Sequence, residues 1–256
     1  MGDFFGAGRR GLGSGLFGGG GNTKTYAEIL VDDYGADEVW PLVDIASGTD
    51  IPAFVNSNRD GTLTGWDLQN AAGPVTDTLA PYSDGANDYG DIHTSNGTDG
   101  LADIWDGEAN LFMWLNSDTG FWTDDAYCYF LTLGNPGFEG FHVRKTGGNE
   151  IAWKFKTVGL SQISQTPSGW FSLGLSISLS DDEGKCFYNG SRQGAIHDLS
   201  GEAAGSITES WIMAESDGPF GVFTGWGAYV AVKFGSIWTP TDFQNMHDAA
   251  ATAGAD

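Results

Sequence analysis

The sequence is poor in three things, and each shortage excludes something. It has only two cysteines, Cys128 and Cys186, in 256 residues. Two thiols cannot form the disulfide lattice of a small secreted scaffold, and both read as small buried strand residues. It has only 11 basic residues against 34 acidic ones, a formal net charge of −23. A field of that sign repels a phosphate backbone, so nucleic acid is not an expected partner. Long apolar runs are missing too, and no window supplies the stretch a membrane span needs. The first residues are glycine-rich with scattered apolar side chains rather than basic and then apolar, so an ordinary export signal is not expected.

Glycine and aromatic residues are what the chain has in quantity: 40 Gly, 16 Phe, 10 Trp and 8 Tyr. That composition suits many short aromatic strands between turns. The clearest stretch runs from Gly169 to Arg192, GWFSLGLSISLSDDEGKCFYNGSR. Phe171, Leu173, Leu175, Ile177 and Leu179 alternate with Ser172, Gly174, Ser176 and Ser178, a period of two that separates an apolar face from a small polar one. The acidic turn Ser180 to Gly184 ends in a glycine able to take positive φ. A second strand runs to Tyr188 and stops at the turn pair Asn189-Gly190.

Other segments fall into order around this hairpin. Tyr26 to Asp32 reads as a short helix stopped by carboxylates that oppose its dipole. Glu38 to Leu42 reads as a strand whose Pro41 implies an edge position. Asn56 to Trp66 is a turn and a short strand, and Pro81 to Ile92 is two short strands about a polar turn. Ala109 to Asn116, Tyr127 to Gly134, Gly140 to Lys145, Glu150 to Thr157, Ser210 to Ala214 and Ala228 to Phe234 complete the strands. Thr239 and Pro240 open a closing helix, in which Phe243, Met246 and Ala250 recur at helical spacing and are expected on the sheet's edge.

This series resembles the LamG-like, concanavalin A-like lectin-glucanase family, including members found in bacteriophage structural proteins. The resemblance rests on the Trp170 hairpin with its Asn189-Gly190 end and on Trp40-Pro41-Leu42. It rests equally on Asp60-Gly61-Thr62, on the Tyr82-to-Ile92 pattern, and on the final strand, Trp238 and helix. It spans about Tyr26 to Ala251. It implies an all-β, two-sheet antiparallel jelly-roll sandwich (concanavalin A-like) with a short N-terminal and a short C-terminal helix, preceded by a Gly-rich arm. Residues 1–23 are then an anchoring arm and residues 24–256 the LamG-like domain.

The family's enzymatic branch carries Glu-x-Asp-x-x-Glu on a cleft strand, and this chain does not. Its acids sit in turns, whereas retaining glycoside hydrolysis needs two carboxyls about 5 Å apart. His93, His142, His197 and His247 lie in unrelated contexts, and His142 reads as a structural strand histidine. No enzyme is expected. Asn56, Asn58 and Asp60 superficially resemble an EF-hand loop but lack its closing glutamate. Asp84, Asn87, Asp88 and Asp91 form an oxygen-rich cluster that admits calcium or, equally, turns bonding their own backbone. Trp122 with Asp124 and Asp125, and Trp66 with Asp67, offer aromatics and acids suited to a sugar, or else plug the ends of the sandwich.

In the arm, Phe4, Phe5, Leu12, Leu16 and Phe17 are spaced by glycines, and Arg9 and Arg10 are its bases. Extended, it reaches roughly 70 Å at about 3.3 Å per residue. Such a segment suits insertion between neighbouring subunits. The expectation is a virion protein of a bacteriophage, on the capsid or the tail, joined to other virion proteins through its arm and homo-oligomeric. A host-surface glycan is a candidate partner of the displayed jelly roll. The alternatives are a bacterial carbohydrate-binding or adhesin module and, further off, a glycoside hydrolase.

Overall fold

The computed structural model describes residues 24–45, 49–92, 106–118, 120–123, 127–133, 140–204, 210–213 and 223–254, and the strands counted are those of these residues. The N-terminal arm, with Phe4, Phe5, Arg9, Arg10, Leu12, Leu16 and Phe17, lies outside them. Helix α1 (Tyr26–Asp32) begins at Thr25, whose side chain accepts from the backbone N–H of Glu28 while Glu28 accepts from that of Thr25. This reciprocal cap satisfies two of the donors that a helix start leaves orphaned. The helix stops where its carboxylates begin, and Lys24 pairs with Asp33 at 2.6 Å.

The strands are β1 (Glu38–Pro41), β2 (Asp50–Ile51), β3 (Gly61–Thr64), β4 (Asp67–Ala72), β5 (Leu79–Asp84), β6 (Tyr89–Asp91), β7 (Glu108–Ser117) and β8 (Cys128–Leu133). They continue as β9 (Phe141–Lys145), β10 (Ile151–Phe155), β11 (Val158–Ile163), β12 (Trp170–Ser178), β13 (Glu183–Tyr188), β14 (Ser191–Asp198), β15 (Ser210–Ile212) and β16 (Thr224–Phe234). Helix α2 (Pro240–Ala249) follows.

These strands form two eight-stranded antiparallel sheets. The first runs β14-β13-β12-β7-β16-β5-β4, with β1 added beside β16. The second runs β11-β10-β9-β8-β15-β6-β3-β2. The fold is a two-sheet antiparallel β-sandwich with a short helix near each end of the described chain. Pro41, which has no N–H to give, stands in β1, whose one neighbour is β16, as its sequence implies. Strands β5 and β6 fall in different sheets, so the polar turn between them carries the chain across the sandwich.

Between the sheets lies a core that includes Trp40, Leu111, Met113, Phe130, Trp153, Phe155, Phe171, Leu173, Leu175 and Ile177. The odd-numbered side chains of β12 point into it, as their alternation requires. The small even-numbered residues face the other way but are not solvated: Ser172, Ser176 and Ser178 are all buried. A second apolar layer covers that face, formed by Tyr26, Leu30, Phe112, Trp114, Phe187, Tyr229, Trp238, Phe243 and Met246. Helix α2 therefore lies on the face of the sheet and not on its edge, correcting the expectation from sequence. Large side chains at Phe112 and Phe187 flank the flat position Gly174, and Phe243 stacks on Phe187 at 3.9 Å between centroids. That depression in the sheet's relief seats the helix.

Hydrogen bonds fix this layer. Tyr26 donates its hydroxyl to the Met246 carbonyl at 2.7 Å and accepts from the Trp114 indole at 3.0 Å. Asn110, buried in β7, donates to the carbonyls of Lys233 and Ser236 and accepts from the Trp238 N–H. In the acidic turn, positive φ falls on Asp182 and not on Gly184, which already belongs to β13. Gly184 is needed for space, since a Cβ there would meet Leu160 at 2.9 Å. Asn189 and Gly190 do turn through positive φ, 47° and 72°, and lead directly into β14, a strand not foreseen from sequence. Strand β11 was likewise not foreseen.

A Cβ on Gly174 would stand 2.5 Å from the Phe243 ring and 3.1 Å from Phe187 Cβ. Gly174→Val is expected to destabilise the fold by about 2 kcal/mol or more through overpacking. Urea denaturation followed by tryptophan fluorescence measures it, and an unchanged midpoint would show that the helical layer does not depend on this seat.

Candidate functional site

The residues singled out for sugar binding are placed apart and mostly inside. Trp122 sits in a single helical turn, Phe121–Thr123, with its indole donating to the Ser117 hydroxyl at 2.7 Å. Its ring packs on Phe121 and Phe130. Trp66 is buried against the end of the core, close to Gly227. Neither ring offers a face on which a pyranose could stack, so both act as end plugs. Asp67 is exposed at the start of β4, and Asp124 and Asp125 lie outside the described residues.

The oxygen-rich cluster is bound to its own backbone. Asp84 accepts from the Ala86 N–H, and Asp88 accepts from the Asp84 N–H at 2.6 Å. Burial raises the Asp88 carboxyl above the usual carboxylate range, and the Asp84 charge adds to this. Asp88 packs into space left by Gly65. Asn87 and Asp91 belong to the same turn and the following strand. Among the described residues no three His, Cys, Asp or Glu side chains are grouped so as to hold a metal ion. The Asn56 loop is a capped turn in which Asn56 accepts from Asn58 and Asp60 from Ala53.

Two carboxylates are buried among the described residues, Glu38 and Asp88. Glu38 accepts backbone N–H bonds from Val39, Val55 and Asn56 at 2.7–3.1 Å, and Arg59 lies 3.5 Å away. Burial pushes its carboxyl up to about 7 against the pull of those donors. It ties strand β1 to the 53–59 loop, a structural use of an acid.

A group with different character lies on the outer face of the second sheet, and the sequence reading did not assemble it. In register, Arg144 stands opposite Ala152, and His142 opposite Lys154; across the next ladder Ala152 faces Gln162 and Lys154 faces Gly159. The small Ala152 and Gly159 leave an open hollow of about 340 Å³, framed by Arg144, Lys154, Ser161 and Gln162. His197 reaches it from β14 of the other sheet. Arg144 donates to the Tyr129 hydroxyl at 3.1 Å, and its guanidinium lies 5.0 Å from the centroid of Tyr127, an exposed ring. Its buried Nε, and the Nε2 atoms of His142 and His197, have no hydrogen-bond partner among the described residues. Burial, with Arg144 and Lys154 adding to it, pushes His142 down to about 3. His142 lies buried in β9, and its unpartnered Nε2 departs from the satisfied strand histidine that the sequence leads one to expect. The available signal was two successive strands, FHVRK and IAWKF, that each place a base on the outward phase in a chain poor in bases.

No protein-family model matches the chain, and no curated protein matches it in sequence. Solved structures do share its fold. A Trypanosoma rangeli sialidase in complex with 2,3-difluorosialic acid is similar with a TM-score of 0.66 at 10% identity, over 87% of this chain and 34% of the sialidase. The receptor binding domain of botulinum neurotoxin D is similar with a TM-score of 0.62 at 10% identity, over 84% of this chain and 52% of that domain. The chain thus spans about a third of one and half of the other. At such identities the likeness is one of fold.

Glu38 and His142 give stability opposite dependences on pH. The folded protein keeps Glu38 protonated up to about 7 whereas the unfolded chain releases that proton near 4.5, so this contribution is present below 4.5 and lost as pH rises to 7. The unfolded chain protonates His142 below 6.5 whereas the folded one does not until about 3, so this contribution is present above 6.5 and lost as pH falls. Each slope is at most about 1.4 kcal/mol per pH unit. Denaturation midpoints between pH 4 and 7.5 should therefore become more acid-sensitive in Glu38→Gln and less so in His142→Leu. Glu38→Gln should also cost about 3 kcal/mol at pH 7, because its amide would face the Asn56 N–H and Arg59.

Proposed function

We propose that this chain is a non-catalytic display protein of a bacteriophage virion, a LamG-like sandwich held outward and anchored through residues 1–23. The observation that carries this reading is the closure of the fold at residue 24. The Gly254 N–H donates to the Lys24 carbonyl at 3.0 Å, and Thr25 bridges Gly254, so entry and exit are clasped beside the two helices. Both sheets and both apolar layers are built from described residues, which begin at Lys24. In this reading Phe4, Phe5, Leu12, Leu16 and Phe17 bury themselves in another subunit, each returning about 1.5–3 kcal/mol against an ordering cost of about 1 kcal/mol per residue. The five side chains together return less than ordering the whole arm costs, which favours an arm that orders only where a preformed groove adds further contacts.

The non-catalytic part is supported by the uses of the buried acids. Glu38 is spent on backbone donors and Asp88 on its own turn. A recognition role for the sandwich is supported by its neighbours, which carry the same fold within longer chains, one of them described as a receptor binding domain.

Deleting residues 1–21 is expected to leave a soluble sandwich with an unchanged circular dichroism spectrum that no longer joins the particle. Occupancy measured by quantitative mass spectrometry of purified particles reads the result. Full occupancy by the truncated chain would remove the arm as anchor and with it the main support for the virion reading.

A further inference from the structure

The helices leave one end of the first sheet's outer face half-exposed. There the second apolar layer runs out into a row of residues that stand directly opposite one another on four strands. Trp170 on β12 faces Asn116 on β7, Asn116 faces Trp226 on β16, and Trp226 faces Tyr82 on β5. All four are half-exposed, whereas Trp114, the preceding outward residue of β7, is buried against Tyr26 and His247. The Tyr82 and Trp226 rings lie 4.9 Å apart between centroids. At about 4.8 Å per strand the row is roughly 14 Å long.

Charge and hydrogen bonding narrow what lies across this row. Tyr82 donates its hydroxyl to Asp118 at 3.1 Å, and Trp170 donates its indole N–H to the Ala72 carbonyl. Both donors are thus turned onto the protein itself, and ring faces and carboxylates remain. Asp67 pairs with Tyr82 across the β4–β5 ladder, and Asp84 follows Tyr82 on the same face of β5; both acids are exposed. Burial first, then the bond to Asp118 and the charges of Asp118, Asp84 and Asp88, hold the Tyr82 hydroxyl above its ordinary range, so these acids act on one spot. Strands β4, β5, β7 and β12 contain no lysine or arginine. The one base of β16, Lys233, stands at its far end and donates to the Tyr34 carbonyl. Ring faces carry negative potential, as carboxylates do, so the complement is a cation that also lies flat on an aromatic ring, a guanidinium.

The chain itself supplies that group. Arg9 and Arg10 are the only bases outside the described residues, adjacent in the arm and flanked by Gly8 and Gly11. The arm joins the sandwich beside the row, because Tyr26, the first residue of α1, accepts from Trp114. From Arg10 to Lys24 an extended chain reaches roughly 45 Å at about 3.3 Å per residue, enough to cross to a neighbouring molecule. Arm and row leave from one face, so two copies facing each other about a two-fold axis exchange arms reciprocally and the assembly closes. We propose that Arg9 and Arg10 of one copy dock on the row Trp170, Asn116, Trp226, Tyr82 and Asp118 of a second copy. This rests on the arm reading above and names the groove and the partner that reading leaves open.

Asn116 provides the decisive variant. Half-exposed in the middle of the row, it can become a lysine whose stem lies along the indoles while its head reaches water. Sedimentation velocity of the full chain over a concentration series reads assembly, with the thermal midpoint of each variant as the check on folding. The chain should dimerise, and the dimer should weaken as salt rises. The double variant Arg9→Gln, Arg10→Gln should weaken it about tenfold or more, and so should Asp118→Asn. Asn116→Lys should abolish it with little change in the thermal midpoint. Asp198→Asn, which removes an exposed acid from β14, should leave it unchanged. A synthetic peptide of residues 1–23 should compete the dimer apart, and the same peptide with both arginines replaced by glutamine should not. A chain that stays monomeric throughout the series, or a dimer indifferent to the arginine pair or to Asn116→Lys, overturns the proposal. Equal weakening by Asp198→Asn overturns the row as the docking place, reducing the effect to net charge. A chain that dimerises through the row yet is missing from particles sinks the virion reading alone, and a monomeric chain at full occupancy sinks the exchanged arm alone.

Discussion

The Phe243 ring seated against Gly174 expresses the constraint on which the architecture depends: the central strands of the first sheet, β7, β12 and β16, are buried on both faces. A sheet so placed must present apolar matter to its partner sheet and a shaped relief to the helices. Strand β12 meets both demands by alternating large aliphatic residues with glycine and serine. Strand β7 does so differently, putting Leu111, Met113 and Leu115 inward and Phe112 and Trp114 outward. Small residues on one strand and large ones on the next generate the trough in which α2 rests. The serines remain tolerable there because they find partners: Ser172 bonds His247, and Ser178 bonds Glu108 and Asp181. Unpartnered hydroxyls under a helix would each cost on the order of 1–3 kcal/mol.

The same economy of partners explains how an acidic chain folds at all. Its described carboxylates work locally. Glu108 gathers the Ser180 N–H and the hydroxyls of Ser178 and Ser180, holding the β12–β13 turn. Asp242 and Glu28 close the reciprocal caps of the two helices. Asp37 accepts from the Phe234 N–H and ties the end of β16 to the start of β1. A carboxylate that accepts backbone N–H bonds satisfies donors that a loop would otherwise leave bare, and it needs no lysine to do so. Much of the acid content among the described residues thus serves as turn and cap chemistry.

How far the sequence could be read follows from the range of each interaction. Helix α1, the proline edge strand and the cap of α2 were legible because they depend on neighbours a few residues apart. The β12–β13 hairpin was legible for the same reason. The covered second face was not: Ser172, Gly174, Ser176 and Ser178 look alike whether water or a helix lies over them, and only the pairing of β12 with β7 decides. Strand β14 was missed because its side chains, from Ser191 to Asp198, are mostly exposed and carry no apolar alternation. The aromatic candidates for a sugar site failed on burial. Trp66 and Trp122 stand in loop-like sequence, yet both fill the ends of the core. The basic hollow was invisible because its members come from β9, β10, β11 and β14, with Ala152 and Gly159 contributing only by being small.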